Sequence, residues 1–264
     1  MTTIPAPDTI LASILGERAA EASEVEWLSK PQAAKNQIVR YRVGDELRVL
    51  KVFSHGWRYS LSLVKTPMSL WARNFKLRRS AAQRVRAERD ADAAFRAAGL
   101  SSFEILDRPA ANALVFRHYA GQSVRRLMAE RDDPAFTREL LGTVAEDFAR
   151  RQQLALERND PRLVHPDPCV KHVWVTPEGE RLLFDFEGCV NLALPLDELL
   201  AREAEVFVFQ VGRTGGTDAA GMQAFVERLG PAVRERWRTQ SAQPHWGRSK
   251  SNRRRTPEVQ ALMG

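Results

Sequence analysis

Residues 163 to 188 read LVHPDPCVKHVWVTPEGERLLFDFEG, and no other stretch constrains the chain as strongly. Its HVWV and RLLFDF runs are strand-like, and the TPEGE between them carries the Pro and Gly of a tight turn. A β-hairpin therefore links two acids and two imidazoles. His165 and Asp167 form a His-x-Asp, His172 follows Asp167 by five residues, and Asp185 comes thirteen later in an Asp-Phe-Glu. Such a set suits a reaction site better than a surface loop. Asp185 lies between Phe184 and Phe186, where a carboxylate needs a partner or a metal. Asp167, followed by Pro168, also reads as a plain turn residue.

The segments around this stretch suggest two unlike halves. NQIVRYRVGDELRVLKVF (36–53) reads as a hairpin: Val39, Tyr41 and Val43 alternate with Arg40 and Arg42, and GDE supplies the turn. Leu47, Val49, Lys51 and Phe53 then share one face of the return strand. A lysine there either snorkels to an edge or meets an anion. Residues 81–98 are rich in helix formers, and Gly99 supplies a stop. NALVF (112–116) is a short buried-strand candidate, HYAGQS a crossing, and SVRRLMAE a short helix. An Asp-Pro start opens a long helix striped by Leu141, Val144, Ala145 and Phe148. Helical runs at 196–211 and 218–238 follow, and residues 240–264 read as a loose tail. Strands with one helix, a connector, then mostly helices imply two unequal lobes with a cleft between them, where ligands bind.

Charge adds a surface property. The net charge is +7. From Leu47 to Ala87 there is no Asp or Glu but ten basic residues, and RSKSNRRR forms a second cluster near the C-terminus. Such blocks attract polyanions, or are simply solvated faces. SLWARNFKLRR places Leu70, Trp71, Phe75 and Leu77 on one side of a helix with basic residues around the other, a pattern that suits an anionic membrane surface. Two cysteines, Cys169 and Cys189, exclude a disulfide framework and a four-cysteine zinc site, and fit packing roles in a reducing cytoplasm. The opening MTTIPAPDTILASILGERAAEA lacks a basic leader region, so no signal peptide is expected. No stretch approaches the ~20 apolar residues of a membrane span.

Taken in order, a strand lysine, a helix glutamate, a connector, His-x-Asp-x4-His and Asp-Phe-Glu resemble the parts of the protein-kinase-like superfamily. The resemblance covers roughly residues 36–190, with RVLKVF resembling the third-strand lysine motif. Within the superfamily, KVFSHGWRYSLSLVK, AERDADAAFRAAGL and HPDPCVKHVWV are similar to the bacterial lipopolysaccharide core kinases, the heptose and Kdo kinase group. The resemblance implies an α+β, two-lobe protein-kinase-like fold with a small antiparallel-sheet N-lobe and a mainly helical C-lobe. The expected divisions are an N-lobe over 1–116 (N-terminal helix, sheet, glutamate helix), a C-lobe over 117–240 with the catalytic and metal-binding loops, and a basic tail over 241–264.

The resemblance also implies roles. Lys51 holds the α- and β-phosphates of ATP, and Glu88 fixes its ammonium. Asp185 binds Mg²⁺, which prefers hard oxygen ligands, with His172 at the second metal-binding position. Asp167 aligns the acceptor hydroxyl and takes its proton. His165 ties the catalytic turn to the Asp-Phe-Glu backbone. In a plainer reading, Glu88 merely pairs with Arg84 along its helix.

Four departures matter. WLSKPQAAKNQ (27–37) has no glycine where a phosphate loop belongs, leaving Lys30 or Lys35 to supply charge. His172 replaces an Asn; imidazole suits Mn²⁺ or Zn²⁺ better than Mg²⁺, or His172 only hydrogen-bonds Asp167. Pro166 replaces an Arg that reads activation-loop phosphate in many protein kinases, which with the lack of an Ala-Pro-Glu segment argues against a regulated Ser/Thr protein kinase, and Glu187 replaces a Gly, which favours a non-protein substrate. The expectation is an ATP-dependent kinase acting on a sugar hydroxyl of a lipopolysaccharide-type glycolipid. It would be cytoplasmic and peripheral at the inner membrane face through basic residues 48–86, with an anionic glycolipid or phosphorylated sugar as substrate. The alternatives are a small-molecule kinase of the aminoglycoside or choline phosphotransferase type, and a nucleotide-binding pseudokinase. No aromatic-basic motif of the known RNA modules is present, which argues against nucleic acid.

Overall fold

The computed structural model describes residues 5–29, 36–54, 75–77, 79–214 and 219–242. Lys30, Lys35, the segment around Trp71, the centre of the basic stretch and the RSKSNRRR cluster lie outside the described residues.

Among the described residues, the first half is a sheet with one α-helix on each face. Its elements are α1 (Pro7–Leu15), β1 (Ala22–Trp27), β2 (Gln37–Val43), β3 (Glu46–Val52), the two-residue β4 (Lys76–Leu77), α2 (Ala81–Ala97), β5 (Ile105–Ala110) and β6 (Ala113–Arg117). Five strands pair antiparallel in the order β1-β2-β3-β6-β5. Val43 pairs with Glu46, so Gly44 and Asp45 make a two-residue turn, and Gly44 takes the φ of +56° that such turns demand. Side chains alternate across the sheet. Val39, Tyr41, Leu50 and Val52 pack on Leu11 and Leu15 of α1. Phe53, Leu114 and Phe116 pack on Ala81 and Val85 of α2. Lys51 belongs to this second face, so the strand period alone aims it at α2.

A capping box starts α2: the Ser80 hydroxyl accepts from the Gln83 N–H, and the Gln83 side chain accepts from the Ser80 N–H. Gly99, at φ +66°, ends it.

The second half is mainly helical: β7 (Gln122–Ser123), α3 (Val124–Arg131), α4 (Pro134–Arg158), β8 (Val173–Val175), β9 (Arg181–Leu183), β10 (Cys189–Val190), α5 (Leu196–Thr214), α6 (Ala219–Arg228) and α7 (Gly230–Ala242). Asp133 caps α4 by accepting from the Ala135 and Phe136 N–H groups. The expected stripe of Leu141, Val144, Ala145 and Phe148 is buried against Phe207 and Phe225. The run read as one helix over 218–238 is two, because Gly230 at φ +75° turns the chain between α6 and α7. β7, β8 and β9 form a small antiparallel sheet in that order.

The halves meet along α2. Its Ala91, Ala94 and Phe95 pack on Leu163, Phe186 and Leu199, with the Phe95 and Phe186 rings 4.7 Å apart. A small antiparallel-sheet lobe joined to a helical lobe is the two-lobe protein-kinase-like architecture. Among the described residues, no helix is long and apolar enough to cross a membrane.

Candidate active site

β3 presents Lys51 and α2 presents Glu88. The turn before β8 carries His165, Asp167 and His172, and the chain leaving β9 carries Asp185 and Glu187. Lys51 Nζ lies 2.6 Å from Asp185 Oδ1 and 3.3 Å from both Glu88 Oε2 and Glu187 Oε2. Burial works against the ammonium, but the three carboxylates outweigh it and hold the Lys51 pKa above its ordinary value. The lysine is charged, and it does not snorkel: it is 7% exposed.

Glu88 is pulled both ways. Burial pushes its carboxyl up, Lys51 pulls it down, and Asp185 and Glu187 push it up again, leaving it at about 7. Its Oε1 also accepts the Phe186 backbone N–H at 3.2 Å, so α2 grips the chain beside Asp185 directly. Glu88 does not take Arg84 as its helix-face partner. Arg84 donates to Glu187 Oε1 at 3.3 Å, to Asn36 Oδ1 at 3.2 Å and to the Ser54 carbonyl at 2.9 Å.

Asp185 sits at φ +71°, a backbone conformation rare for a residue with a side chain. Burial alone raises its pKa; Lys51 and His172 outweigh that and hold it well below the usual carboxylate range.

His172 bridges the two acids of the hairpin. Its Nε2 donates to Asp185 Oδ2 at 3.1 Å, and its Nδ1 lies 2.8 Å from the Asp167 carbonyl oxygen. Both ring nitrogens therefore face acceptors, which calls for a proton on each. Burial favours the neutral ring, but the hydrogen bonds and charges of Asp185 and then Cys169, whose Sγ lies 3.2 Å from Nδ1, prevail and push the pKa up to about 10. An imidazolium has no lone pair for a metal, so ligation by His172 requires it first to release a proton and one of these bonds.

His165 is wholly buried and neutral. Burial, with the charge of His172, drives its pKa well below the ordinary value. Its Nδ1 accepts the Asp167 N–H at 3.0 Å and its Nε2–H donates to the Phe184 carbonyl at 3.0 Å, tying the two loops together. The Asp167 carboxylate is 32% exposed and lies 3.7 Å from Lys171 Nζ.

The donor set fits Mg²⁺. One oxygen each from Glu88, Asp185 and Glu187 fall within 4.8 Å of one another, an all-carboxylate set of the kind hard cations prefer. Asp167, Cys169 and His172 form a second mixed group within the same span.

Sequence reasoning missed a supporting layer. Glu203 of α5 accepts the His165 backbone N–H and pairs with Arg151 of α4 at 2.7 Å; Gln152 donates to its other oxygen at 3.0 Å. Glu203 and Gln152 are completely buried and Arg151 nearly so. One signal was available: Glu203 falls on the apolar stripe of α5 between Leu199 and Phe207, where an acid needs a buried partner.

No protein-family model matches the chain. No curated protein matches it by sequence. Among solved structures, WaaP in complex with acyl carrier protein is 13% identical with a TM-score of 0.49, over 97% of this chain and 89% of that one. The Mycobacterium tuberculosis PknI kinase domain is 15% identical with a TM-score of 0.46, over 92% and 95%. The aminoglycoside phosphotransferase APH(4)-Ia is 12% identical with a TM-score of 0.35, over 97% and 97%. At these identities and scores the likenesses assign no activity.

Proposed function

We propose that the chain is an ATP-dependent phosphotransferase acting on a sugar hydroxyl of a lipopolysaccharide-type glycolipid, with Mg²⁺ as its metal. The observation that carries this reading is the placement of Lys51 Nζ among Glu88, Asp185 and Glu187, beside a hairpin that brings Asp167 to the same imidazole as Asp185. Lys51 is a cation whose partners are carboxylates, and the α- and β-phosphates of a nucleotide offer it the same chemistry. Glu88 keeps the ammonium in place. Mg²⁺ would supply charge neutralisation for the phosphates, and Asp185 and Glu187 are the carboxylates that would hold it.

Asp167 orients the acceptor hydroxyl and takes its proton as the acceptor oxygen bonds to the γ-phosphorus; the bond to the β,γ-bridging oxygen breaks and ADP leaves with that electron pair. His165 fixes the Asp167 backbone to that of Phe184, so the base and the metal-binding carboxylate move as one piece. The proposed divisions are an N-lobe over 1–116 and a C-lobe over 117–240, with a basic tail beyond. The glycolipid assignment is supported by the acid-free basic window of residues 47–87, which suits an anionic substrate and a peripheral position at the inner membrane face.

One observation favours a second reading. His172 has both nitrogens engaged where a metal-binding Asn is expected, which suits a nucleotide-binding pseudokinase. ATP turnover with Mg²⁺ and with Mn²⁺ separates the two. On the catalytic reading Asp167→Asn lowers transfer by roughly 10²–10⁴ and leaves nucleotide affinity unchanged. Nucleotide binding without turnover under either metal establishes the pseudokinase instead.

A further inference from the structure

Resting on the nucleotide-site reading above, we infer that Arg84 is a second polyphosphate-binding cation, held beside Lys51 by the Glu187 carboxylate that bridges the two. The geometry is particular. Glu187 Oε1 accepts from Arg84 Nη1 at 3.3 Å, and Glu187 Oε2 lies 3.3 Å from Lys51 Nζ. One anionic group thus spans two cations, as a phosphate does, and both cations flank the same ring: Phe53 lies 4.9 Å from Lys51 Nζ and 5.3 Å from the Arg84 guanidinium carbon. Asn36, within the glycine-free segment, donates to Glu187 Oε2 and accepts from Arg84, closing the ring of contacts.

Arg84 is 4% exposed and its guanidinium is oriented by the Ser54 carbonyl at 2.9 Å, so it is a fixed fork and not a solvated surface charge. The open side of the cluster is made by the carboxylates: the Glu187 and Asp185 side chains are 22% and 29% exposed, against 9% for Lys51. A triphosphate arriving from that side meets the two carboxylates before the cations. It can displace Glu187 from both cations, which frees that carboxylate to join Asp185 on the metal.

The chemistry accounts for two departures at once. Glycine-rich loops neutralise phosphates with backbone N–H groups, and here a guanidinium fork four residues before Glu88 on α2 supplies charged donors. An acid at position 187 serves as the counter-ion that such a fork needs while no phosphate is bound.

The test compares ATP and adenosine binding by the full chain, with and without Mg²⁺, for wild type, Arg84→Gln, Arg84→Lys and Glu187→Gln. Arg84→Gln is expected to weaken ATP about tenfold or more, the size of a lost charge-assisted hydrogen bond, and to leave adenosine unchanged. Arg84→Lys, which keeps the charge, should lie between that variant and wild type, and it carries the comparison should Arg84→Gln fail to fold. Glu187→Gln should tighten ATP several-fold without metal and reduce the further gain from Mg²⁺. Equal losses of ATP and adenosine in the Arg84 variants, or unchanged ATP affinity, overturn the inference and reduce Arg84 to a structural tie. Wild type that binds neither ligand overturns the underlying nucleotide-site reading.

Discussion

At the scale of single residues, the site is a set of opposed charges, buried on the cation side and part-exposed at Asp185 and Glu187. Lys51, Arg84 and His172 stand against Glu88, Asp185 and Glu187. Two of its titrations run in opposite directions. An unfolded histidine takes up a proton near 6.5, but folded His165 stays neutral well below that. The unfolded state then binds more protons, and stability falls as pH drops below 6.5, by up to about 1.4 kcal/mol per unit. Unfolded glutamate releases its proton near 4.5, but folded Glu88 keeps it up to about 7. Here the folded state binds more protons, and stability falls as pH rises from 4.5 to 7. Urea unfolding across pH 4.5–6.5 separates the two. His165→Gln should gain stability as pH falls, and Glu88→Gln should lose it. A flat profile in Glu88→Gln contradicts a buried neutral His165. The residues named from sequence were those joined by short, local spacing: His165, Asp167, His172 and Asp185 sit on one hairpin, and Lys51 and Glu88 on regular elements facing each other. Arg84, Asn36, Arg151, Gln152 and Glu203 were not legible as a set, because their contacts join positions far apart in the chain: Asn36 to Glu187, Arg84 to Glu187, Arg151 and Gln152 to Glu203.

At the scale of elements, α2 and the crossing between halves hold the geometry. Ser80→Ala removes half of the capping box one turn before Arg84 and two before Glu88. It is expected to cost about 1 kcal/mol in urea unfolding and to weaken nucleotide binding through fraying of that end. Gly121, at φ +116°, lies so close to β8 that a Cβ would stand 2.0 Å from the Val175 carbonyl oxygen. Gly121→Ala should cost on the order of 2 kcal/mol or more; a change within experimental error contradicts the packing of the crossing on β8. The β2–β3 hairpin was legible because its alternation is unbroken over a two-residue turn. β1 and β5 were not. Glu24 at φ +50° interrupts the pairing of β1 with β2, and β5 contains Pro109 and slips register twice against β6. A bulge destroys the period of two on which such a reading depends. The single helix expected over 218–238 hid its break at Gly230 for a related reason: apolar periodicity continues through both helices, and only the backbone at one glycine changes.

At the scale of the whole molecule, a ligand held by Lys51 from the sheet side and Asp185 from the helical side joins the two halves. Mg²⁺-ATP at about a hundred times its Kd adds about 2.7 kcal/mol of stability, which should raise Tm by roughly 5–10 °C for a chain of this size. The net charge of +7 bears on partners and not on the fold. Binding to vesicles with anionic lipid should fall steeply between low and physiological salt, and vesicles without anionic lipid should not bind. Salt-insensitive binding, or equal binding to both, contradicts the peripheral membrane role. The order of elements along the chain made the two unequal lobes legible from sequence. The join along α2 was less so, because Phe95, Phe186 and Leu199 come from three separate elements. The most direct test of the central claim is ATP affinity by calorimetry for wild type, Lys51→Ala and Asp185→Ala, each shown to be folded. A loss of tenfold or more in both variants, with binding intact in wild type, is the predicted result; the same affinity in all three contradicts the account.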